Sequence, residues 1–324
     1  MQRPGRSFEI WLRTAGLVFV VTALVCLLSG FYSRKFHLQT GPAAWIWLEH
    51  PLDEGTPIAF FAVRDVVVPP DPPFVRLRLA CDAEWTLYLN GTEIAGGESA
   101  PDPVLHVLEL SDVVKKGVSN RFAVALRSVN GVGGMLATVD YAPLRENDVV
   151  SDESWSICRE WTPGVTSGET SCGERPLVLG RPPLGRWNYP EPVRSTAYTS
   201  GIVSGPVREP VTGAITRREI RVISGLAIES STSVPATIFD LGVVEGRGRV
   251  SLPTAATAVS ALEVRYVDDP SELSSPAHSE TFVFAPGETT VTDPVPRSFR
   301  YVAVAADDAK VEVVRGSMQE RPGP

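Results

Sequence analysis

Cysteine and histidine are scarce in this chain, with four of each in 324 residues. No Cys/His spacing fits a zinc site, so metal ligands are not expected. His37, His50, His106 and His278 have no Ser or Cys motif around them, which argues against a nucleophilic triad. A basic stripe is missing too. The formal net charge is −8 and the pI is near 5.2, which excludes nucleic acid as a partner. Gly131, Gly133 and Gly134 do not open a helix, so a phosphate cradle is not expected. Long apolar runs are scarce as well. There is one, Ala15 to Tyr32 (AGLVFVVTALVCLLSGFY), and beyond it no long amphipathic helical pattern follows.

That run has 18 residues and no charge, and Ile10, Trp11 and Leu12 lengthen it past Arg13. A bilayer-crossing helix takes roughly 20 such residues, and Arg13 on one side with Arg34 and Lys35 on the other suit the headgroup regions. The sequence therefore predicts a short tail over 1–13, a transmembrane helix over 14–32 and a linker over 33–43. A cleaved signal peptide and a buried core helix are the competing readings. Leu28 fits poorly at the −3 position of a cleavage site near Ser29-Gly30, and Val25 before Cys26 argues against a lipoprotein. Arg3, Arg6, Arg13 and the terminal amine against Glu9 favour a cytoplasmic N-terminus, with the bulk of the chain extracytoplasmic.

Cysteine usage fits export. Cys26 lies in the apolar run, and Cys81 in a strand-like run where a buried free thiol is the default. Cys158 and Cys172 flank 13 residues. A disulfide there would contribute roughly 3 kcal/mol by loop entropy and would persist only in an oxidising compartment. Two unrelated reduced thiols are the alternative.

Beyond the run, 28 Pro and 27 Gly punctuate short β-rich segments: 60–63, 75–79, 85–89, 106–110, 122–126 and 135–139. Several alternate apolar with polar residues, the period of a half-buried strand. Asn90-Gly91 is a hairpin signal because both residues accept positive φ. A Pro/Gly/Ser-rich stretch over 142–205 reads as an irregular bridge. A second β-rich block follows, with segments at 219–223, 236–241, 247–252, 261–267, 281–284, 299–305 and 310–314. The expected fold is all-β, with two jelly-roll-like β-sandwiches in series: 44–190, a linker over 191–199, 200–316, and a tail over 317–324.

The first block runs Trp45-Ile46-Trp47, then EWTLYLNGTEIAG, a Leu-Ser-Asp turn, Lys115-Lys116-Gly117, NRFAVAL and SDESW. This order resembles the galactose-binding-like N-terminal modules of bacterial α-L-rhamnosidases, with Tyr88, Asn90, Gly91, Ile94, Gly117 and Asn120 at comparable places. The second block is similar to that family's second sandwich, through IFDLG (238–242), GRGRV (246–250), LEVRY (262–266), FVF (282–284) and SFRYVAV (298–304). In the resembling enzymes an α/α-toroid follows and carries the catalytic carboxylates, and no segment here has the helical repeats for one. Calcium, used at such sites by some relatives, is admitted by the resemblance alone, since no run of oxygen ligands identifies a site.

Glycoside hydrolysis needs two carboxylates across a pocket. The paired acids here, Asp82/Glu84, Asp152/Glu153, Asp268/Asp269 and Asp307/Asp308, read as turn residues, so no catalytic residue is assigned. Sugar binding fits the first block better, through flat aromatic faces and a few polar groups. The candidates are Trp85, Asn90, Trp155, Trp161, Trp187 and Tyr189, although Trp155 and Trp187 also suit a role as plugs in a sandwich edge. The expectation is a membrane-anchored, non-catalytic carbohydrate-binding or scaffolding protein of the cell envelope. The alternatives are a rhamnosidase-like glycosidase, or a subunit of one completed by a partner chain, and an adaptor that binds an envelope protein.

Overall fold

A computed structural model describes residues 15–28, 39–49, 55–142, 148–195, 202–204, 210–223, 226–275 and 279–315. Eight strands build the first sandwich: β1 (Trp45–Trp47), β2 (Ile58–Val67), β3 (Arg76–Cys81), β4 (Glu84–Leu89), β5 (Thr92–Gly97), β6 (Leu105–Glu109), β7 (Ser119–Ser128) and β8 (Met135–Asp140). One sheet has the order β1-β8-β3-β6 and the other β2-β7-β4-β5. Apart from the β4–β5 hairpin, successive strands thus cross from sheet to sheet, as in a jelly roll.

Alternation sets which side chains meet between the sheets. Leu77 and Leu79 of β3 and Trp85, Leu87 and Leu89 of β4 point inward, where Phe60, Phe122 and Leu126 join them. Trp47 closes one end, edge-on to Phe60 at 4.9 Å between ring centroids. The β4–β5 hairpin turns at Asn90 (φ 51°) and Gly91 (φ 87°), the positive φ pair that the Asn-Gly dipeptide supplies.

The segment expected to bridge the domains instead folds onto the first sandwich. β9 (Val149–Val150), β10 (Ser156–Cys158), β11 (Leu177–Gly180) and β12 (Pro192–Arg194) extend the two sheets. A one-turn helix, Pro163–Ser167, lies beside them. Strands of two to four residues carry no readable period, so composition alone reads as a bridge. This cover buries the outer face of β2 and β7, where Phe61, Val63, Ala123 and Ala125 pack with Cys158 and Val165. It explains why β2 reads as a continuous apolar run.

The second block contains β13 (Ile202–Ser204), β14 (Val211–Ile223), β15 (Leu226–Ser251), β16 (Ser260–Val267), β17 (Ser279–Phe284), β18 (Thr290–Thr292), β19 (Arg297–Val304) and β20 (Lys310–Arg315). β15 pairs with β19 through Thr237–Gly246 and then with β20 through Arg247–Ser251. A register shift between Asp240 and Val244, with Gly242 at φ 66°, lets this one strand serve both layers. Phe239, Phe284, Phe299, Val302 and Val311 fill the core between them.

Residues 15–28 are helical and present Leu17, Phe19 and Leu27 outward, so the core-helix reading of this run does not hold. No helix among the described residues is long and apolar enough to cross a membrane. Residues 1–14 and 29–38, which hold the flanks of the apolar run, lie outside the described residues.

Candidate binding site at the seam of the two sandwiches

The aromatic cluster expected for a sugar does not assemble. Trp85 is 1 % exposed and lies in the sandwich core. Trp155 is as deeply buried, and its indole N–H donates to the Val150 carbonyl at 3.0 Å. Trp187 stacks on Trp45 at 4.8 Å, and its indole N–H donates to the Asp82 carboxylate. Asn90 is occupied within its hairpin. Its amide donates to Asn120 Oδ1 at 3.0 Å, and its Oδ1 accepts from the Arg121 N–H at 3.0 Å. Tyr189 remains on the surface. Trp161 packs on Phe61 at 4.3 Å and under the Arg127 guanidinium at 4.2 Å. Periodicity brings aromatics into strands but does not say which face or edge receives them.

The expected disulfide is not formed either. Cys158 and Cys172 are free thiols, as are Cys26 and Cys81. The two are nonetheless neighbours, because β10 brings Cys158 under the loop that carries Cys172. Burial and the adjacent Cys158 thiol push the Cys172 thiol up to about 12. Burial likewise raises the Cys81 thiol, with the Asp82 charge adding to it.

The two sandwiches meet across a charged seam. Arg127 of β7 makes a two-pronged bond to Glu288, 2.8 Å from Nη1 to Oε2 and 2.7 Å from Nη2 to Oε1. Its Nη1 also donates to the Val283 carbonyl. Glu288 is fixed in turn by the Ala285 N–H at 3.0 Å. Arg247 pairs with Glu93, and Arg297 with Glu98, so two more guanidiniums of the second sandwich hold carboxylates of the first. Ala59, Val283, Ala285, Trp161 and Val259 form a small apolar patch beside them.

Within this seam is a cavity of about 310 Å³, lined from the first sandwich by Glu84, Glu98, Ser99, Arg127 and Asn130 and from the second by Ser279, Glu280, Thr281, Asp293 and Arg297. That volume is at the small end of ligand pockets, roughly 300–1,000 Å³. Glu84 opens β4, directly across from Arg127 on β7, but its Oε1 is 3.7 Å from Arg127 Nε, too far for a hydrogen bond. Burial pushes Glu84 up to about 8 against the pull of Arg127, and Asp293, Glu288 and Glu280 add to the rise. Burial also raises Glu280. Asp293 is 1 % exposed and is held by Arg297 Nε at 2.8 Å. Among the described residues no three His, Cys, Asp or Glu side chains converge to hold a metal ion.

Of the residues lining the cavity, the sequence marks Glu84 alone, as a turn acid paired with Asp82. The turn reading does suit Asp152, which accepts from the Ser154 N–H, and Asp269, which accepts from the Ser271 N–H. A signal for the seam was present in Arg127, a charge ending the apolar run FAVAL of β7. Of the histidines, His106 lies among the described residues; His37, His50 and His278 do not. His106 Nδ1 is 2.8 Å from Ser195 Oγ, and burial lowers its pKa.

Neither a protein-family model nor a curated protein matches the chain. Solved structures do. A GH78 family rhamnosidase of Bacillus sp. GL1 superposes with a TM-score of 0.52 at 10 % identity, over 86 % of this chain and 55 % of the enzyme. The chain has the fold of part of a rhamnosidase. The α-L-rhamnosidase from Dictyoglumus thermophilum gives a TM-score of 0.44 at 16 % identity, over 85 % of this chain and 36 % of that one. A lectin from Pleurotus ostreatus, solved in complex with GalNAc, gives 0.37 at 16 % identity, over 86 % and 80 %. The chain spans about a third to just over half of the length of these two rhamnosidases.

Proposed function

We propose that this chain is a membrane-anchored, extracytoplasmic carbohydrate-binding protein of the cell envelope that works without catalysis. The observation that carries the reading is the seam cavity. It is polar, of ligand size, and built from both sandwiches, which places hydroxyl, amide, carboxyl and guanidinium groups around one small volume. Such groups hydrogen-bond vicinal hydroxyls and fix the orientation of a sugar ring. The rhamnosidase-like fold agrees with this. Export and anchoring rest on the Ala15–Tyr32 run and its flanking charges, with a scaffolding role for the paired sandwiches toward an envelope protein. The test is a glycan array probed with the full chain in detergent, together with protease shaving of intact cells. Binding to at least one glycan class and cleavage of 40–324 from outside are expected. An empty array with a co-purifying membrane protein would favour the adaptor instead.

One observation favours a second reading, glycoside hydrolysis at the same cavity. A carboxyl raised to about 8 beside other carboxylates is the usual state of a general acid. Turnover of aryl-glycosides that is lost in Glu84→Gln would establish it and overturn the non-catalytic reading.

A further inference from the structure

The seam cavity is short of positive charge. Its lining holds four acidic side chains, Glu84, Glu98, Glu280 and Asp293, against two guanidiniums, Arg127 and Arg297. Both guanidiniums are already engaged. Arg127 is held by Glu288, which lies outside the lining, and by the Val283 carbonyl. Arg297 is shared among Asp293, Glu98 and Glu280, with Glu280 Oε1 at 3.2 Å from Nη2. Glu84 is therefore left in a largely buried place with its nearest cation at 3.7 Å. A cavity in this condition favours a ligand that brings a positive charge.

Two features narrow the ligand. The carboxylates do not converge as metal ligands among the described residues, so an extended organic cation suits the site better than a bare ion. The remaining lining, with Ser99, Ser128, Asn130, Ser279 and Thr281, offers hydroxyls and an amide that match ligand hydroxyls. We infer that the seam cavity binds an amino sugar with a free, protonated amine, the ammonium going to Glu84 and Glu280 and the ring hydroxyls to the serine, threonine and asparagine side chains. This inference rests on the carbohydrate-binding reading above and assigns it a place and a ligand class. An acidic sugar is disfavoured, because its carboxylate would add to the negative charge of Glu98, Glu280 and Asp293 beside a protonated Glu84.

The groups that face Glu84 are Arg127 on β7 and Glu280, Glu288 and Asp293 of the second sandwich. A bound ammonium opposes the burial that keeps the Glu84 proton on, so binding near neutral pH releases protons. The probes are glucosamine and galactosamine, with their N-acetyl forms and the neutral parent sugars as controls. Calorimetric titration of the full chain in detergent, in two buffers of different ionisation enthalpy at pH 7, reads affinity and proton release together. The amino forms should bind at least about tenfold more tightly than the N-acetyl forms, the worth of one charge-assisted hydrogen bond, and should release protons. Glu84→Gln, which mimics the protonated acid and so keeps the fold, should abolish both the preference and the proton release. Glu280→Gln should weaken the preference. Equal affinity for amino and N-acetyl forms overturns the inference, as does an amino preference unchanged in both variants. Glycan binding elsewhere on the chain that ignores Glu84 overturns the inference while leaving the carbohydrate-binding reading intact. The absence of binding to any sugar overturns both.

Discussion

Removing Arg127 should uncouple the two sandwiches. Its side chain is 9 % exposed, and it makes three hydrogen bonds across the seam, two to Glu288 and one to the Val283 carbonyl, while its guanidinium stacks on Trp161. A hydrogen bond to a charged group contributes about 1.5–3 kcal/mol, but the three share one side chain and do not add independently. Breaking a buried pair from one side costs about 3–5 kcal/mol, because the other charge stays behind. Arg127→Ala leaves Glu288 with the Ala285 N–H, deprives the Val283 carbonyl of this donor, and removes the plane under which Trp161 packs.

The expected loss is therefore about 3–5 kcal/mol of coupling, seen in urea unfolding of the full chain in detergent as one transition splitting into two. Arg127→Met with Glu288→Gln removes both charges and should recover part of the loss, which a double-mutant cycle measures. Arg159→Ala is the control. That residue pairs with Glu174 at 2.6 Å on an exposed surface, where such pairs contribute at most about 1 kcal/mol. A loss below about 1 kcal/mol for Arg127→Ala, with a single transition retained, would refute the seam as the element that joins the domains.

Other outcomes follow from single sites. Glu84 is raised in the folded state, so between its unfolded value near 4.5 and about 8 the native protein holds a proton that the unfolded chain has lost. Stability should accordingly fall as pH rises through that window and level off above it, and Glu84→Gln should flatten the slope in thermal melts from pH 4 to 9. At Gly97 an added Cβ would lie 2.4 Å from Trp85 Nε1, inside a ring that is 1 % exposed; Gly97→Ala should cost about 1–3 kcal/mol in urea unfolding, and a neutral result would mean that the ring moves freely. Asn120 is fully buried and bonds Asn90, the Lys115 N–H and carbonyl and the Val118 carbonyl, so Asn120→Ala should cost about 1–3 kcal/mol and speed amide exchange in the β4–β5 hairpin. The Cys172 thiol, pushed up to about 12, is almost wholly protonated at pH 8 and should alkylate far more slowly than free cysteine; rapid labelling in the native protein would contradict its placement beside Cys158.

Strands with a readable period were legible. β3, β4 and β7 alternate or run apolar for local reasons, and the Asn90-Gly91 turn specifies its hairpin by φ alone. The edge strands β9 to β12 were not, because two to four residues hold no periodicity and owe their pairing to a neighbour already in place. Three of the aromatic candidates are buried for a related reason. Trp85, Trp155 and Trp187 are the large side chains that a thin sandwich needs to fill its core and close its ends, and residue type does not separate filling from binding. Asp82 and Glu84 show the limit most clearly. They are two residues apart and share a carboxyl group, yet one is held by the Trp187 indole and by Arg186 at 2.6 Å, and the other faces a cavity. Their difference comes from partners more than 40 residues away along the chain.

The seam also shows why the site escaped a reading by domains. Each sandwich closes its own core around β-period residues, and those residues dominate the pattern. Glu84 opens β4, Glu98 follows the end of β5 and Arg127 is the penultimate residue of β7, while Glu280, Glu288, Asp293 and Arg297 lie on or beside β17, β18 and β19 of the second sandwich. Taken within either block, each is an ordinary strand-end charge of the kind that solvates a sheet edge. The docking of the two sheets brings these charges around one cavity. Burial then raises Glu84 and Glu280 and consumes both guanidiniums in holding the domains together. The charge imbalance that favours a cationic ligand is thus a product of assembly, and it should vanish when the seam opens. Arg127→Ala should therefore weaken amino-sugar binding as well as domain coupling, and calorimetry on that variant checks the link. Undiminished binding in a chain whose two transitions have separated would place the ligand within one sandwich rather than between them.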